Sequence, residues 1–170
     1  MINRIVFIFP LILLLLVSGT VEAKKYPFDI DASRDVVITR SATAGSKMVK
    51  VTAYGRTVNK AINQAMMDAV VALTFFGASG ENEMEASPAI LLDKRAAYDK
   101  KKEFFDQFFQ KGYFLSYVKR VNSNYPAGKN NIKTERGRKV QLILLVDWNG
   151  LSVYYKNAGL KTVTNSLMDY

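Results

Sequence analysis

The stretch KMVKVTAYGRTVNKAINQAMMDAVVALTFFG, residues 47–77, decides the predicted fold. In its first part, small or branched apolar residues occupy every second position, and polar and apolar residues occupy the positions between them. Alternation of this kind is typical of a strand with one buried face. The positions assigned to the buried face are Val49, Val51 and Ala53. The sequence therefore predicts a strand that packs on a core along one side.

The rest of this stretch has the spacing of a helix. Thr57 follows the turn residue Gly55 and is placed to accept a hydrogen bond from a free amide of the first helical turn. Gly77 is placed to end the helix in a left-handed conformation. The apolar residues between them recur at intervals of three and four: Val58, Ala61, Ile62, Ala65, Met66, Ala69, Val70, Leu73 and Phe76. This pattern predicts one long helix whose apolar stripe faces the core.

The N-terminus has the three parts of a signal peptide. Arg4 supplies positive charge, residues 5–17 form an apolar run, and a cleavage site ends at Ala23. The run is short for a bilayer span, which takes about 20 apolar residues, and an uncleaved anchor is the alternative. The chain contains no Cys, so it has neither a lipidation site nor a disulfide. We therefore expect residues 1–23 to be removed and the mature protein to reside in the bacterial periplasm, free or peripheral to a membrane, with release outside the cell left open.

A second helix is predicted from Ser87 to about Lys111. Ser87 is a favourable N-cap, and Pro88 suits the first helical position, where its missing amide is not needed. Lys94 and Lys101 fall within the apolar arc of this helix. Either the helix bends, or the lysine stems cover apolar surface, or the two lysines line a groove for an anionic ligand.

Two further strands complete the predicted domain. Residues 113–121 and 138–148 alternate as strands do, and residues 122–137, rich in Asn, Gly and Pro, form a long exposed hairpin loop between them. The second of these strands is apolar on both faces, so something other than the two long helices must cover one face. The cover is either residues 151–158, predicted as a short helix, or a partner chain. The candidate apolar interface comprises Phe114, Val118, Ile143 and Leu145.

The predicted fold class is α+β. The elements follow the order β-α-α-β-β and form a two-layer sandwich, with a mostly antiparallel sheet of three to four strands and two long helices on one face. Residues 24–46 are predicted as a linker with a short edge strand within it, residues 47–158 as the domain, and residues 159–170 as a C-terminal tail.

The composition excludes several kinds of active site. The chain has no His and no Cys, which removes Ser-His-Asp and Cys-His nucleophile systems and ordinary zinc, copper and haem ligation. It has no phosphate-binding Gly-rich motif. Its carboxylates lie on the exposed arc of the second helix or in loops, except Asp147, which is expected to cap the turn into Asn149 and Gly150. The sequence therefore predicts no enzyme, no cofactor and no metal site.

The formal net charge is +9, and removal of residues 1–23 leaves it unchanged because that segment carries one Arg and one Glu. Basic residues gather around the hairpin loop: Lys119, Arg120, Lys129, Lys133, Arg136, Arg138 and Lys139. Such a cluster either binds an anionic polymer or membrane surface or keeps the hairpin soluble and free of edge pairing. Nucleic acid is not an expected partner of an exported protein.

Three segments carry a resemblance to a known superfamily: VTAYGRT at residues 51–57, GYFLSYV at residues 112–118 and VQLILLV at residues 140–146. Their order resembles the superfamily that includes the N-terminal domain of the flagellar T-ring assembly protein and the LPP-type lipoproteins, over residues 47–148. The chain differs from the lipoproteins in lacking the lipidation Cys, and from the flagellar protein in lacking further domains. The resemblance implies a non-enzymatic periplasmic module that assembles outer-membrane-associated machinery.

Two functional hypotheses follow from these features. The first is an exported envelope module for protein interaction or assembly, whose partner is another envelope protein or a second copy of the chain. The alternative is a module that binds an anionic polymer or membrane surface through the basic hairpin. Salt separates them, because the Debye length falls from about 10 Å to 3 Å between 0.1 and 1 M salt, which weakens contacts between exposed charges and leaves an apolar interface in place.

Overall fold

A six-stranded sheet with helices on one face is the framework of this chain. The computed structural model describes residues 26–40 and 42–163. The strands are β1 Asp35–Arg40, β2 Ser46–Gly55, β3 Ser79–Gly80, β4 Val118–Arg120, β5 Asn131–Thr134 and β6 Gly137–Asp147. The helices are α1 Val58–Val71, α2 Lys94–Lys100, α3 Lys102–Gln110 and α4 Trp148–Asn157. Among these described residues, the helices are all too short or too polar to cross a membrane.

β2 and β6 form the centre of the sheet. They pair antiparallel along their whole length, from Ser46 opposite Asp147 to Gly55 opposite Arg138. β1 pairs antiparallel with β2, and β3 adds two residues in parallel beyond β1. β4 and β5 both pair with the other edge of β6, β4 near its end and β5 near its start. The α+β class is confirmed, but the sheet has six strands rather than three to four.

The predicted alternation in β2 is confirmed, and it places the core between the sheet and α1. Val49 and Val51 are fully buried on the face that α1 covers. The alanines of α1 let the helix lie close to the sheet, since Ala61 and Ala65 are also fully buried. Gly55 is part of this close approach, because a Cβ there would lie 2.4 Å from the amide nitrogen of Ala61.

The start of α1 is as predicted, but its end is not. The hydroxyl of Thr57 accepts a hydrogen bond from the amide of Lys60 at 3.2 Å. At the other end the chain continues as a π-helical turn over Ala72–Phe76. This wider turn changes the phase of the helix, so Phe75 is fully buried whereas Phe76, predicted in the stripe, is 50% exposed.

The residue that ends this turn also differs from the prediction. Gly77 has a positive φ of 79°, as expected of a glycine after a helix, but its ψ of −174° is extended rather than left-handed helical. The chain therefore leaves the helix as an extended segment, and Ala78 pairs with Ser87 in an antiparallel bridge.

The prediction of one helix from Ser87 to Lys111 was wrong. The chain from Ser87 to Asp93 is not helical, because the amides of Ile90 and Leu91 donate to the carbonyls of Leu73 and Thr74 at 2.8 and 3.0 Å. Tertiary hydrogen bonds thus override the local Ser-Pro helix signal.

α2 and α3 are two separate helices, and the break between them is at Lys101, with φ −126° and ψ 35°. Lys94 and Lys101 are both exposed. The bend therefore accounts for two lysines in what looked like one apolar arc, and neither lysine lies in the core.

An aromatic layer joins α3 and α4 on the helical side of the sheet. The fully buried rings are Phe75, Phe105, Phe108, Phe109, Phe114 and Tyr155. Burial raises the pKa of Tyr155, whose hydroxyl lies 3.0 Å from that of Thr74. The predicted short helix is present as α4, which begins at Trp148 and ends at Asn157, but its residues Leu151 and Tyr155 face this layer. Of the two covers considered for the second face of the sheet, residues 151–158 are therefore excluded, and the partner chain stays a prediction.

Residues 26–34 belong to the domain rather than to a linker. Phe28 stacks on Phe109 with ring centroids 4.3 Å apart, and Tyr26 meets the edge of Phe114 at 5.4 Å. Ile30 is 6% exposed. We call residues 26–34 the N-terminal strap, because they run across the helices before β1 begins.

The predicted C-terminal boundary of the domain, residue 158, also differs from the structure. The amide of Val163 donates to the carbonyl of Ile90 at 2.7 Å, and Leu160 is 8% exposed. The domain therefore includes residues 26–40 and 42–163. The predicted signal peptide at residues 1–23 and the last part of the predicted tail, residues 164–170, lie outside the described residues.

Candidate functional site

The pairing of β2 with β6 gathers basic residues at one end of the sheet. Where β2 ends and β6 begins, Tyr54 lies opposite Lys139. β5 continues this arrangement on the other side of β6, with Lys133 opposite Arg138. Arg136 occupies the tight turn between β5 and β6. Four of the predicted hairpin residues are thus brought together.

Two basic residues that sequence reasoning missed join this cluster. Arg56 links β2 to α1, and Lys60 stands in the first turn of α1. The hairpin turn packs on this link, because a Cβ at Gly137 would lie 2.3 Å from the carbonyl oxygen of Gly55 and 2.9 Å from the Cα of Arg56. We call the combined set the basic end: Arg56, Lys60, Lys133, Arg136, Arg138 and Lys139. The sequence signal that could have identified Arg56 and Lys60 is that they lie on either side of Thr57, the predicted N-cap of α1.

The charges of the basic end are not neutralised by neighbours. Within residues 26–40 and 42–163, the side-chain ion pairs closer than 4.0 Å all lie elsewhere: Arg34–Asp68, Lys50–Glu81, Arg95 with Asp31 and Asp99, and Lys102–Asp106. The ammonium of Lys139 lies 5.9 Å from the ring centroid of Tyr54, which is 60% exposed. The start of α1 adds the positive end of a helix dipole, with no carboxylate in its first turn.

The remaining predicted basic residues lie apart from this set. Lys119 pairs opposite Leu145, six positions along β6 from Lys139, which is roughly 20 Å along a strand. Arg120 lies opposite Leu144 on the helical side, and its Nη1 atom is buried without a hydrogen-bond partner among the described residues. Lys129 is exposed in a 3₁₀ turn before β5. The prediction of a single hairpin cluster was therefore wrong for Lys119 and Arg120.

A cleft adjoins the basic end where the N-terminal strap passes the link between β2 and α1. Its volume is about 360 Å³. Its walls are formed by Tyr26, Pro27, Tyr54, Gly55, Arg56, Lys60, Asn63 and Gln64. The strap therefore brings the start of the described chain to the same end of the domain as the unpaired cations.

The second candidate surface is the face of the sheet that points away from α1, which we call the outer face. Met48 lies opposite Leu145 and Lys50 opposite Ile143 on this face. Val37 of β1 lies beside Lys50. All five side chains are partly exposed, and in the described part of the chain the apolar residues of the helices pack on the opposite face. Lys50 pairs with Glu81, so the centre of the outer face is mainly apolar.

The predicted apolar interface is divided by the structure. Ile143 and Leu145 lie on the outer face, as expected. Phe114 and Val118 are only 0% and 5% exposed, because residues 113–117 form a 3₁₀ turn rather than a strand and direct Phe114 into the aromatic layer. These two residues belong to the domain core and were wrongly assigned to an interface.

Two carboxylates, Asp147 and Asp68, have structural partners. Asp147 caps α4, as predicted, by accepting a hydrogen bond from the amide of Gly150 at 2.8 Å. Asp68 is 6% exposed and burial raises its pKa, but its partners are Arg34 of the strap and Gln64 of α1. Both carboxylates thus hold elements of the fold in place, and neither lines the cleft at the basic end.

Comparison with known proteins leaves the resemblance to the T-ring and LPP-type superfamily a prediction. No protein-family model matches the chain, and no curated protein or solved structure matches it either.

Proposed function

We propose that this protein is an exported, non-enzymatic module of the bacterial cell envelope that binds another envelope protein through the outer face of its sheet. The observation that carries the proposal is the row of partly exposed apolar side chains formed by Met48, Ile143 and Leu145 across the paired centre of the sheet. An antiparallel sheet can leave one face in water when that face is polar. Apolar side chains at the centre of the outer face instead favour a covering partner, since they gain free energy when they leave water.

The charges around the outer face favour one kind of partner. Lys119 and Lys139 flank the apolar row at opposite ends, and the one carboxylate bonded to the face, Glu81, is already paired with Lys50. Two copies of this face would bring like charges together, which is unfavourable. The proposed partner therefore presents an apolar surface bordered by carboxylates. Export rests on the signal-peptide pattern of residues 1–23.

The test is capture of partners from envelope extract by residues 24–170, which retain every described residue, at about 0.1 and 1 M salt. The informative variant is Ile143→Lys, which places a charge at the centre of the outer face. The matched control is Val153→Lys on α4, where the side chain is 57% exposed and far from this face. A protein retained at high salt by the parent and by Val153→Lys, but lost with Ile143→Lys, supports the proposal.

Two outcomes contradict it. Equal capture by both variants means that the outer face is not the interface. Concentration-dependent dimers in sedimentation, lost only with Ile143→Lys, mean that a second copy of the chain covers the face. Thermal melts of both variants must remain cooperative for the comparison to hold, which is expected because both positions are at least partly exposed.

A further inference from the structure

We propose that the basic end docks on the surface of a membrane that contains anionic lipids, and that Tyr54 enters the headgroup region beside the cations. This surface lies at one end of the sheet, beyond the apolar centre of the outer face, and shares Lys139 with its border. The inference goes beyond the proposed protein interface, and variants at the centre of the outer face test the two separately.

The first support is the number of free charges at one place. Six cationic residues lie at this end of the domain, against a single carboxylate in the hairpin, Glu135. None of the six is within 4.0 Å of a carboxylate in the part of the chain that the structure describes. Lys50, Arg95 and Lys102 are paired elsewhere on the domain, and the other cations without an ion pair there, such as Lys94 and Lys156, lie outside this cluster. An unpaired basic surface attracts anionic lipid headgroups, and the attraction adds up over the cations that reach the surface.

The second support is the exposed aromatic and aliphatic side chains among these cations. Tyr54 and Ile132 are 60% and 47% exposed and lie on either side of Lys139. Tyr125, which is 58% exposed, is held at the same end because its hydroxyl donates to Asn59 at 2.5 Å. Rings with a polar tip suit the membrane–water interface, where one part of the side chain is in contact with lipid and the other with water. A soluble anionic polymer would not need them.

The third support is the place where the chain enters the domain. Tyr26, the first described residue, lines the cleft with Tyr54, Arg56 and Lys60. The two residues before it in the sequence are Lys24 and Lys25, and the apolar run of residues 5–17 precedes them. In the sequence, two lysines and an apolar run therefore directly precede the residue at which the described chain reaches the basic end. Cations followed or preceded by apolar residues favour a lipid surface as the occupant.

The experiment measures binding of residues 24–170 to vesicles of phosphatidylcholine, with and without phosphatidylglycerol. The test variant is Arg56→Gln, Lys60→Gln and Arg136→Gln together, three exposed positions of the basic end. The control variant removes the same charge at three exposed lysines elsewhere on the surface: Lys94→Gln, Lys101→Gln and Lys156→Gln. We expect binding only when phosphatidylglycerol is present, about 100-fold weaker binding by the test variant, and a change of less than about fivefold in the control.

Two further measurements decide whether the basic end binds a lipid surface or a soluble anionic polymer. Tyr54→Ser keeps every charge, and we expect it to weaken vesicle binding several-fold while leaving binding to soluble polyphosphate unchanged. The proposal is overturned if test and control variants lose binding equally, since net charge alone would then explain it. It is also overturned if polyphosphate binds as tightly as vesicles and Tyr54→Ser affects neither. Ile143→Lys, the variant of the outer face, should leave vesicle binding intact, which separates this result from the protein-partner proposal.

Discussion

The Nε atom of Arg34 lies 3.3 Å from a carboxylate oxygen of Asp68, and the two side chains are only 5% and 9% exposed. This ion pair fastens the N-terminal strap to α1. The Arg34 guanidinium also donates to the backbone carbonyls of Asp29, Ile30 and Ala32, so one side chain orders most of the strap. Asp68 in turn accepts from Gln64 on the same helix at 2.9 Å.

We expect Arg34→Met to lower the free energy of unfolding by roughly 3 kcal/mol at pH 7, because it leaves the Asp68 carboxylate buried without its partner. Urea unfolding of residues 24–170 measures this. The control is Arg95→Met, which removes ion pairs with Asp31 and Asp99 between side chains that are all more than half exposed, and it should cost clearly less than Arg34→Met because exposed ion pairs contribute little. Equal costs would mean that the buried pair contributes no more than an exposed one.

The loss of unfolding free energy caused by Arg34→Met should depend on pH in a defined direction. Burial raises the pKa of Asp68 above its ordinary value, while the hydrogen bond from Gln64 and the charge of Arg34 lower it. A carboxyl whose pKa is raised by folding adds stability below its unfolded pKa, and that contribution is lost as pH rises through the folded pKa. Arg34→Met removes one lowering influence, so the raised pKa rises further. Its cost should therefore be smaller at pH 5 than at pH 7, and a cost that grows on acidification would contradict this account.

A charge at the centre of β6 tests the direction of its two faces. Leu144 is fully buried opposite Val49, whereas its neighbour Ile143 is partly exposed on the outer face. We expect Leu144→Asp to abolish the cooperative thermal melt, because an unpaired charge would enter the core. Ile143→Asp should retain a cooperative melt. Loss of folding in both would mean that the outer face is itself part of a packed interior.

The parts of the fold that could be predicted depend on signals between near neighbours. The alternation in β2 and β6 and the cap at Thr57 need only a few adjacent residues, and each is confirmed. The end of α1 could not be predicted, since either Phe75 or Phe76 fits the helical spacing until the π-helical turn fixes the phase. The false helix start at Ser87 has a similar cause, because hydrogen bonds from Ile90 to a residue distant in sequence decide its conformation.

The same distinction applies to the candidate site, where neighbours in sequence could be predicted and contacts between separate elements could not. Arg138 and Lys139 could be placed at the same end of the sheet from the sequence because they begin the same strand, although adjacent strand residues point to opposite faces. Arg56 could not be added, since its position beside the hairpin depends on the register that places Gly55 opposite Arg138. Arg120 could not be removed, because only the pairing with Leu144 shows that it points to the helical side. Sequence patterns locate residues along an element, and strand register decides which elements share a surface.

The N-terminal strap should contribute measurably to stability. Phe28 stacks on Phe109 with ring centroids 4.3 Å apart and meets the edge of Tyr98 at 5.9 Å. We expect Phe28→Ala to lower the free energy of unfolding by about 2 kcal/mol, less than for a fully buried ring because Phe28 is partly exposed. Pro27→Ala, at an exposed position beside it, should change stability by less than about 0.5 kcal/mol. If urea unfolding gives the same free energy for the two variants, residues 26–34 contribute no packing energy and act as a linker.

The turn between β5 and β6 offers a final test of how the basic end is built. Gly137 has a φ of +145°, and a Cβ there would lie 2.3 Å from the carbonyl oxygen of Gly55, a backbone atom held in the sheet. We expect Gly137→Ala to cost roughly 3 kcal/mol, because both the conformation and the contact are unfavourable for a side chain. Gly128 has a positive φ of 56° but no atom within 4 Å of its added Cβ, so Gly128→Ala should cost only about 1 kcal/mol.

Urea unfolding compares the two glycine variants, and amide hydrogen exchange locates the effect. Gly137→Ala should raise exchange at the start of β6 and the end of β2, because the hairpin turn must move away from Arg56. Gly128→Ala should leave these amides protected. If the two substitutions cost the same and exchange rises only locally, the turn does not pack on the link between β2 and α1, and the basic residues on either side of that contact do not form one surface.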